Sequence, residues 1–349
     1  MKKLSMLLLL LLLAGATVAK AQGGRYSVYA VGFYNLENLF DTEHDEGKND
    51  YEFLPNGSYR WNELKYKNKL ANMAKVLSEM GTDVLPEVGC AIIGVSEVEN
   101  ARCLSDLCAH PKLKPRNFQF CHIEGPDKRG VDCGLLYNPQ LFKVRNVKLV
   151  PYVYDLEKDK DRATRGFLTV SGTLAGEHVS VIVCHWPSRF SGSYYRELAG
   201  RQVKAVKDSL QRDDPNVKVL IMGDMNDDPK DKSMTTALGA KGDIKKVGPD
   251  DMYNPWYNVL MKEKTGTLIY QGSWNLFDQI VVSPNLLRKE GSKDYSTLKL
   301  FRHHVFRRDY LFYQDGKNKG DIKRTHSAGA WNNGFSDHLP VVLYLMKQQ

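Results

Sequence analysis

The sequence contains 349 residues, of which 42% are hydrophobic and 26% are charged, and its formal net charge is +8. This length suffices for one large domain or two small ones, and the lack of low-complexity segments or fixed-period repeats excludes a repeat architecture. The modest positive charge is compatible with an anionic partner but does not require one.

Residues 1–21 predict a signal peptide. Two lysines form its positive end, an apolar run follows from Leu7 to Leu13, and Ala19-Lys20-Ala21 is an A-x-A cleavage site. A membrane anchor is the alternative, but the apolar stretch is interrupted by small polar residues and is short for a span. We therefore expect a mature protein that begins near Gln22, is exported to the periplasm or the extracellular space, and is not inserted in the membrane after cleavage.

The first half of the mature chain predicts strands around one long helix. Apolar and polar residues alternate in "RYSVYAVGFYN", as in a strand, and the turn-rich "DTEHDEGKNDYEFLPNGSYR" predicts a surface loop. Residues 61–81 place apolar side chains at helical spacing, with Gly81 as the stop. A buried strand, "CAIIGVSEVEN", and a short helix, "ARCLSDLCAH", come next. Further strands are predicted in "NFQFCHI", "VDCGLLY", "FKVRNVKLV", "GFLTVSGTL" and "VSVIVCH".

The second half predicts one more long helix and three strands. The helix runs from about Tyr194 to Leu210 and precedes the strand "VKVLIMGDMN", and "LFDQIVVS" and "LPVVLYLM" supply the last strands. Because strands outnumber helices and often follow one another directly, we expect two packed mixed or antiparallel sheets with helices outside, rather than one doubly wound parallel sheet. The sequence has no Pro- or Ser-rich linker, so residues 22–349 are predicted to form a single domain.

Six cysteines are open to two interpretations. In an exported protein they could form disulfides, but most of them lie inside apolar runs, which equally suits buried free thiols. No Cys-x-x-Cys or His-x-x-His pair is present, so a structural zinc site has no support. The cysteines are Cys90, Cys103, Cys108, Cys121, Cys133 and Cys184.

Polar residues recur at the ends of the predicted strands. A rigid scaffold can hold side chains in place there while leaving them open to a ligand. The residues are Asn35, Glu37, Glu97, Glu99, His185, Asp224, Asn226, Asp227, Asp228, Asp278, Asp337 and His338.

Each of these residues also has a purely structural explanation. A single Glu or Asn at a strand end is commonly a solvated turn former, and His185 alone could be a core histidine. Glu99, Asp227 and Asp228 are predicted to be surface or turn residues. Taken together, however, the set offers hard oxygen ligands, two amides and two histidines without a reactive Ser-His pair, which favours a functional site.

The residue types narrow the chemistry of such a site. Carboxylates that are brought together raise one another's pKa unless a cation lies among them. Oxygen ligands favour Mg²⁺ or a similar hard cation over zinc. A hard cation beside imidazoles suits the attack of water on phosphorus, in which a histidinium stabilises developing negative charge. A carboxylate next to that histidine would fix its tautomer.

The motifs that carry these residues resemble the endonuclease/exonuclease/phosphatase superfamily. The resemblance runs from about Ser27 to Met346, and "HWPSR" is similar to exported bacterial members. It implies a four-layer α/β sandwich, in which two packed mixed β-sheets are flanked by helices. The motifs, in the expected order, are "FYNLENLFD", "GVSEVEN", "RGVDCGLLYNP", "CHWPSR", "GDMNDDP", "FDQIVVS" and "SDHLPV".

The resemblance also implies a metal site. Glu97 looks like the principal metal ligand, with Asn35 beside it and Asp337 completing or orienting the site. The expected cofactor is Mg²⁺, with Mn²⁺ or Ca²⁺ as alternatives. Glu37 matches an acidic position of the family and is implied to lie behind the ligands.

Five further residues resemble the catalytic groups of the family. Asp224 looks like the residue that aligns or deprotonates the attacking water, and Asn226 like one that holds a phosphate oxygen. His338 resembles the transition-state stabiliser, oriented by Asp278. His185 resembles the second histidine of the deoxyribonuclease-like branch.

Four more side chains lie in matching stretches and are implied to bind phosphate, with surface contacts as an equal alternative. They are Arg129, Tyr137, Arg165 and Arg189. The basic stretch "LKLFRHHVFRRDY" could bind a nucleic-acid backbone through its arginines. We favour the alternative that it is a solvated strand or loop.

The sequence thus predicts a secreted, Mg²⁺-dependent phosphoesterase that hydrolyses a phosphodiester, with a nuclease-like activity preferred and nucleic acid as the expected partner. A phosphomonoesterase acting on inositol or sugar phosphates and a sphingomyelinase-like phosphodiesterase remain open. An inactive binding protein on the same fold is the alternative from another class, and the completeness of the predicted site argues against it. The sequence does not indicate an oligomeric state.

Overall fold

The structure is a computed structural model that describes residues 19–21, 24–160 and 162–349. Except for Ala19–Ala21, the predicted signal peptide lies outside the described residues. The strands are β1 (Ala19–Ala21), β2 (Gly24–Leu39), β3 (Cys90–Val98), β4 (Gln119–His122), β5 (Asp132–Tyr137), β6 (Phe142–Val150), β7 (Phe167–Leu174), β8 (Glu177–His185), β9 (Lys218–Asp224), β10 (Ala240–Lys241), β11 (Met252–Tyr253), β12 (Leu268–Tyr270), β13 (Ser273–Asn275), β14 (Asp278–Val282), β15 (Lys299–Val305), β16 (His326–Ser327), β17 (Ala330–Trp331) and β18 (Val341–Gln348). The helices are α1 (Glu63–Glu79), α2 (Ala101–Ala109), α3 (Ser193–Asp213) and α4 (Trp256–Met261).

Two large mixed sheets contain most of these strands. The first has the order β15-β18-β2-β3-β5-β4, with β1 paired to β2, and the second has the order β10-β11-β14-β9-β8-β7-β6. The pairs β2–β3 and β8–β9 are parallel, whereas β18–β2 and β14–β9 are antiparallel. The prediction of two mixed sheets is therefore confirmed.

The sheets pack face to face and the helices cover their outer faces. Phe33 of β2 and Met222 of β9 belong to one continuous apolar core between the sheets. Helices α1 and α2 contact the first sheet, and a second apolar cluster joins Val203 of α3 to Ile221 of β9. This arrangement is the expected four-layer α/β sandwich.

Local sequence signals explain where the helices begin and end. The side chain of Asn62 accepts a hydrogen bond from the backbone N of Lys65 at 3.1 Å and caps α1. Asn100 caps α2 in the same way through the backbone N of Cys103, at 3.0 Å. Helix α1 ends as predicted just before Gly81, whose φ of +81° favours glycine.

All six cysteines are free thiols, and five of them are buried, which agrees with the second of the two interpretations. No helix in the described part of the chain is both long and apolar enough to cross a membrane.

The strand directions determine where the polar strand ends lie. Because β2 and β3 are parallel, as are β8 and β9, the carboxyl ends of the two strands in each pair lie side by side at the same end of the sheet. Strand β14 is antiparallel to β9 and β18 is antiparallel to β2, so both begin where their neighbours end, and Asp278 pairs with Asp224 there. The topology brings the ends of β2, β3, β8 and β9 together with the beginnings of β14 and β18.

Candidate active site

A β-bulge near the end of β3 turns Glu97 into the site. On the β5 side Ser96 pairs with Cys133 and Val98 pairs with Asp132, so Glu97 is the extra residue. Its φ is +59°, a left-handed conformation that costs on the order of 1–3 kcal/mol for a residue other than glycine and is common at functional sites. The backbone N of Asn38 donates to Glu97 Oε2 at 3.0 Å and helps to fix the carboxylate.

Asp224 and His185 lie side by side at the ends of β9 and β8. His185 Nε2 is 3.7 Å from Glu97 Oε1 and 3.7 Å from Asp224 Oδ2, so the three side chains form one group. Burial, with Arg165 and Arg129 nearby, lowers the pKa of His185 well below its usual value. The neutral ring leaves Nδ1 buried without a partner among the described residues.

The carboxyl group of Asp224 is held in an environment that favours its protonated form. Its Oδ1 accepts a hydrogen bond from the backbone N of Asn226 at 2.9 Å. Burial raises the pKa of Asp224 to about 7, with His338 lowering it and Asp278 and Glu97 raising it. A carboxyl group that titrates near neutrality is suited to accept a proton from water.

His338 and Asp278 form a buried pair beside Asp224. His338 Nδ1 donates to Asp278 Oδ2 at 2.7 Å, and His338 Nε2 is 3.8 Å from Asp224 Oδ2. Burial opposes the charged ring, but Asp278 and Asp224 more than offset this effect and raise the pKa of His338 well above its usual value. The ring is therefore protonated at neutral pH and directs Nε2–H toward the cleft.

Asn35 is fully buried and contacts these side chains through its amide. Its Oδ1 accepts the backbone N of Glu37 at 2.9 Å, and its Nδ2 donates to Glu97 Oε1 at 3.3 Å and to Asp224 Oδ2 at 3.1 Å. An amide nitrogen that carries hydrogens does not bind a cation. Asn35 thus positions the two carboxylates, and its role as a metal ligand stays a prediction.

Glu37 and Asp337 are linked through Arg324, a residue that the sequence reasoning missed. Arg324 Nε donates to Glu37 Oε1 at 3.0 Å, and Arg324 Nη2 donates to Asp337 Oδ2 at 2.9 Å. Asp337 Oδ1 is also 4.0 Å from His338 Nε2. Asp337 thus lies at the rim of the site, about one-third exposed, and Glu37 is buried on the other side of Arg324.

Lys69 of α1 is a second missed residue. It is fully buried and donates from Nζ to Thr325 Oγ1 and to the carbonyl oxygen of Phe335, both at 2.6 Å. Burial lowers its pKa to about 8, although Glu37 acts in the opposite direction. Only the interruption of the apolar helix face by a lysine could have indicated it, because its partners lie more than 250 residues away.

Three of the four side chains with a predicted phosphate-binding role lie in the same cleft. Arg165 is buried and donates to Asp127 Oδ2 at 2.9 Å, whereas Arg129 is about half exposed and lies 3.9 Å from Asp127. Arg189 contacts the carbonyl oxygen of Asn226 through Nε at 3.2 Å.

Tyr137 does not join the site. Its hydroxyl donates to Gln119 Oε1 at 2.9 Å, and it pairs with Ile92, at the end of β3 opposite to the bulge. The prediction for Tyr137 is wrong because Tyr137 is the last residue of β5. This strand begins at Asp132, next to the end of β3 that carries the site, and runs away from the site.

The cleft has a volume of about 710 Å³, and most of the predicted site residues line it. Glu97, His185, Asp224, Asp337 and His338 line it, together with Asn226. Asn226 Nδ2 donates to the carbonyl oxygen of Trp186 at 3.0 Å, which fixes its amide at the cleft surface. Phe190, a fully exposed aromatic ring, stands at the rim.

Three residues predicted at the surface are instead buried. Glu99 is 1% exposed and accepts the backbone N of Asp41 at 2.7 Å. Asp227 pairs with Arg196 at 2.8 Å, and Asp228 accepts the backbone N of Leu276 at 2.8 Å. The surface prediction is wrong because each carboxylate finds a partner in a distant segment.

The basic stretch after residue 298 lies outside the cleft. It forms the edge strand β15, and Arg308 beyond it pairs with Asp83 at 2.7 Å. Arg307 lies over the ring of Trp274 at 4.9 Å. These contacts agree with the preferred interpretation of a solvated strand.

The donor set fits a hard divalent cation. One ligand atom each from Glu97, His185 and Asp224 lie within 4.8 Å of one another. The two carboxylates at this spacing can share one ion through oxygen atoms, with the imidazole of His185 beside them.

Comparisons with known proteins agree with this architecture. A family model described as the endonuclease/exonuclease/phosphatase family matches residues 30–347. No curated protein sequence matches the chain.

Solved structures with the same fold are similar over most of the chain. TDP2 from D. rerio, complexed with a single-strand DNA product, is 12% identical with a TM-score of 0.53, covering 91% of this chain and 99% of that one. Mannosyl-6-phosphatase from Bacteroides thetaiotaomicron VPI-5482 is 17% identical with a TM-score of 0.53 and the same coverage, 91% and 99%. ANGEL2, a 2′,3′-cyclic phosphatase, is 13% identical with a TM-score of 0.59, covering 93% and 99%. At these identities the likeness shows the shared fold.

Proposed function

Because the chain belongs to the endonuclease/exonuclease/phosphatase family of metal-dependent phosphoric-ester hydrolases, we propose that it is an exported, Mg²⁺-dependent phosphodiesterase with a nuclease-like activity. The observation that carries this proposal is the convergence of Glu97, His185, Asp224 and His338 on one cleft wall. Export rests on the leader sequence of residues 1–21.

Glu97 would hold the metal ion, with Asp224 and His185 close enough to share it and Asp337 at the rim. When bound, the ion supplies positive charge that offsets the charge on the phosphoryl oxygens. Asn35 keeps the carboxylates of Glu97 and Asp224 at a fixed separation by donating to both.

Asp224 and His338 would divide the proton chemistry between them. Asp224 in its ionised form would orient a water molecule and accept its proton, because its carboxylate lines the cleft beside His338. His338 in its protonated form donates from Nε2 to an oxygen on phosphorus, where negative charge develops. Asp278 holds the ring in the required orientation and charge state through Nδ1.

The basic side chains at the cleft suit an anionic phosphoester. Lys128, Arg129 and Arg165 line it, which provides positive charge beyond the catalytic wall. The exposed ring of Phe190 at the rim could stack on a base, since cationic grooves combined with aromatic rings are typical of single-strand nucleic-acid binding. A sugar or inositol phosphate is the rival substrate, and sphingomyelin is a further one.

A substrate panel tests the proposal. Chelator-treated protein is assayed with plasmid DNA, single-stranded DNA, RNA, sphingomyelin, inositol phosphates and mannose 6-phosphate, before and after Mg²⁺ is restored. We expect hydrolysis only with the metal and fastest with a nucleic acid. Faster turnover of a monoester would reject the nuclease-like activity, and binding without hydrolysis of any substrate would identify an inactive binding protein.

A separate measurement tests export. Expression of the full chain in a bacterial host, followed by fractionation and amino-terminal sequencing, should place the protein outside the cytoplasm with a first residue near Gln22. An intact amino terminus in the cytoplasmic fraction would reject the signal peptide.

A further inference from the structure

The segment between β4 and β5, residues 123–131, places a buried acidic residue at the basic side of the cleft. Asp127 is 5% exposed and lines the cleft together with its neighbours Lys128 and Arg129. A buried carboxylate is costly unless it is paired and hydrogen-bonded. Asp127 takes part in neither the proposed metal site nor the proposed proton chemistry, so its place in the cleft points to another role.

Three contacts hold this segment in place. The backbone N of Gly125 donates to Asp132 Oδ1 at 3.1 Å, and a Cβ at Gly125 would lie only 2.4 Å from that oxygen. Lys48 Nζ donates to the carbonyl oxygen of Gly125 at 2.8 Å, and the backbone N of Asn49 donates to the carbonyl oxygen of Lys128 at 2.7 Å. The segment is therefore fixed both to β5 and to the loop after β2.

The two carboxylate oxygens of Asp127 have separate partners. Oδ1 accepts a hydrogen bond from the backbone N of Arg129 at 3.0 Å, which fixes the orientation of the carboxylate. Oδ2 accepts a hydrogen bond from Arg165 Nη1 at 2.9 Å. Hydrogen bonds between charged groups are short and strong, so this pair holds one end of the Arg165 guanidinium.

The other end of the guanidinium is held beside the catalytic residues. Arg165 Nη2 donates to the carbonyl oxygen of Trp186 at 3.3 Å, and Asn226 Nδ2 donates to the same oxygen at 3.0 Å. Trp186 directly follows His185 in the sequence. Arg165 and Asn226 are therefore neighbours through one acceptor, and both side chains line the cleft with His185.

The protein uses only part of the hydrogen-bonding capacity of Arg165. Nη1 contacts Asp127 and Thr164 Oγ1, the latter at 3.2 Å. Among the described residues, Nη2 has the Trp186 carbonyl oxygen as its single acceptor, and Nε has none. Because a guanidinium has more N–H groups than these contacts use, Arg165 keeps donors for an anionic group in the cleft.

We propose that Asp127 is a positioning residue, which holds Arg165 ready to bind a non-bridging phosphoryl oxygen. Asp127 itself does not touch the substrate. With Asp127 at one end and the Trp186 carbonyl oxygen at the other, the guanidinium is in place before the substrate binds and does not reorganise as negative charge develops. The role rests on the proposed function only in requiring a phosphoryl group in the cleft, so it applies to a diester and to a monoester.

A double-mutant cycle on the full-length protein tests this role with the substrate that the panel shows to be hydrolysed fastest. Arg165→Gln should lower kcat by about a hundredfold, the scale for one charge-stabilising donor. Asp127→Asn should lower kcat by about tenfold with little change in KM, because the guanidinium is still present but is no longer held by a charge. Asp127→Asn/Arg165→Gln should be no slower than Arg165→Gln, because Asp127 acts only through Arg165.

Arg165→Lys separates orientation from charge. Lysine keeps the positive charge but has no planar fork to contact Asp127 and the Trp186 carbonyl oxygen together, so kcat should fall by at least about tenfold. Asp159→Asn is the matched control. Asp159 forms a comparable pair with Arg162 at 3.2 Å, in which the arginine is about half exposed, and its loss should leave kcat at the wild-type value.

Thermal unfolding shows which variants are folded. Asp127→Glu, which keeps the charge but displaces it by one methylene group, completes the cycle if Asp127→Asn does not fold. A wild-type kcat in Asp127→Asn or Arg165→Gln, or a double variant whose loss is the product of the two single losses, would overturn the positioning role alone. If the wild-type protein hydrolyses no phosphoester, the proposed function is rejected and the phosphoryl ligand with it.

Discussion

At the scale of single residues, the site depends on two neighbouring groups whose pKa values move for different reasons. Burial raises the pKa of Asp224, whereas the carboxylates of Asp278 and Asp224 raise the pKa of His338 against the effect of burial. The proposed reaction needs Asp224 ionised and His338 protonated. Hydrolysis should therefore show a bell-shaped dependence on pH, with the acid limb from Asp224 and the alkaline limb from His338.

Asp278→Asn tests the origin of the alkaline limb. The amide removes the negative charge that contacts His338 Nδ1 at 2.7 Å, so the pKa of His338 should fall and the alkaline limb should move to lower pH. The profile of kcat/KM against pH measures the shift. Asp315→Asn makes the same change at an exposed, remote position and should reproduce the wild-type profile. An unmoved alkaline limb in Asp278→Asn would assign that limb to another group.

Removal of either proton-handling side chain should slow turnover without unfolding the protein. Asp224→Ala and His338→Ala are each expected to lower kcat by about a hundredfold or more, the usual scale for a general base or a charge-stabilising donor. Circular dichroism and thermal unfolding should show a folded chain in both variants, with Asp315→Ala as the control. Rates near the wild-type value in both variants would remove the mechanism.

Glu97 should set the requirement for the metal ion. Glu97→Ala removes a carboxylate that the β3 bulge directs at the group formed with His185 and Asp224, so more Mg²⁺ should be needed for half-maximal activity. Activity is titrated against Mg²⁺ in chelator-treated protein, with Glu46→Ala as an exposed control. An identical Mg²⁺ requirement in the two variants would locate the ion elsewhere.

At the scale of secondary-structure elements, α1 holds the segment that leads into the catalytic pair. Lys69 contacts Thr325 and the carbonyl oxygen of Phe335, and Asn72 Nδ2 donates to the carbonyl oxygen of Gly334 at 2.8 Å. Arg324, which bridges Glu37 and Asp337, lies in the same segment. The helix therefore positions the residues that precede His338.

Lys69→Met should weaken both stability and turnover. The apolar side chain removes the Lys69 donor from two buried oxygens, of which the carbonyl oxygen of Phe335 keeps only the Thr325 hydroxyl at 3.2 Å. It also removes a positive charge near Glu37, and the two losses together should cost about 2–4 kcal/mol of unfolding free energy. Urea denaturation measures the stability, and initial rates measure the accompanying fall in kcat. Lys67→Met is the matched control, since Lys67 is exposed on the same helix. Equal stabilities of the two variants would show that the buried contacts contribute nothing.

The same elements show how far the sequence could predict the fold. Apolar spacing, with Gly81 as the stop of α1, located α1, α2 and α3 to within a few positions, because that signal lies within or next to the helices themselves. The burial of Asp227 and of Lys69 could not be predicted, since Arg196 and Thr325 lie far away in the sequence. The orientation of Asn35 likewise depends on the hydrogen bond that its Oδ1 accepts from the backbone N of Glu37, inside the irregular part of β2.

At the scale of the whole molecule, the two sheets work as one scaffold because each contributes half of the site. The first sheet carries Glu97, and His338 lies in the segment just before its strand β18, whereas the second sheet carries His185, Asp224 and Asp278. Alternation of apolar and polar residues predicted the strands, and their polar ends predicted the groups, but the pairing of β14 with β9 and of β18 with β2 is a long-range property. The resemblance of the ordered motifs predicted the four-layer sandwich but not these strand pairings.

Concentrating so many carboxyl groups in the interior should make global stability depend on pH when no cation is present. Glu37 and Asp224 have pKa values raised to about 7, and that of Glu99 is raised to about 9, all chiefly by burial. The folded state then holds protons that the unfolded state has released, so its stability falls as pH rises. The raised pKa of His338 acts in the same direction.

The clearest window lies between pH 6.5 and 8. Below this window, histidines with lowered pKa values, such as His185, make stability rise with pH. Above it, Lys69 has the same effect, because its pKa is lowered to about 8.

In a chelating buffer, the free energy of unfolding should fall across this window, by about 2 kcal/mol for one fully retained proton such as that of Glu99. Urea denaturation at pH 6.5, 7.25 and 8 measures the slope. Glu99→Gln should reduce the fall by about 2 kcal/mol, because the glutamine carries no proton to lose on unfolding, and Glu46→Gln should leave the slope unchanged. A wild-type stability that is constant or rises with pH would mean that these buried carboxyl groups are ionised and compensated within the protein itself.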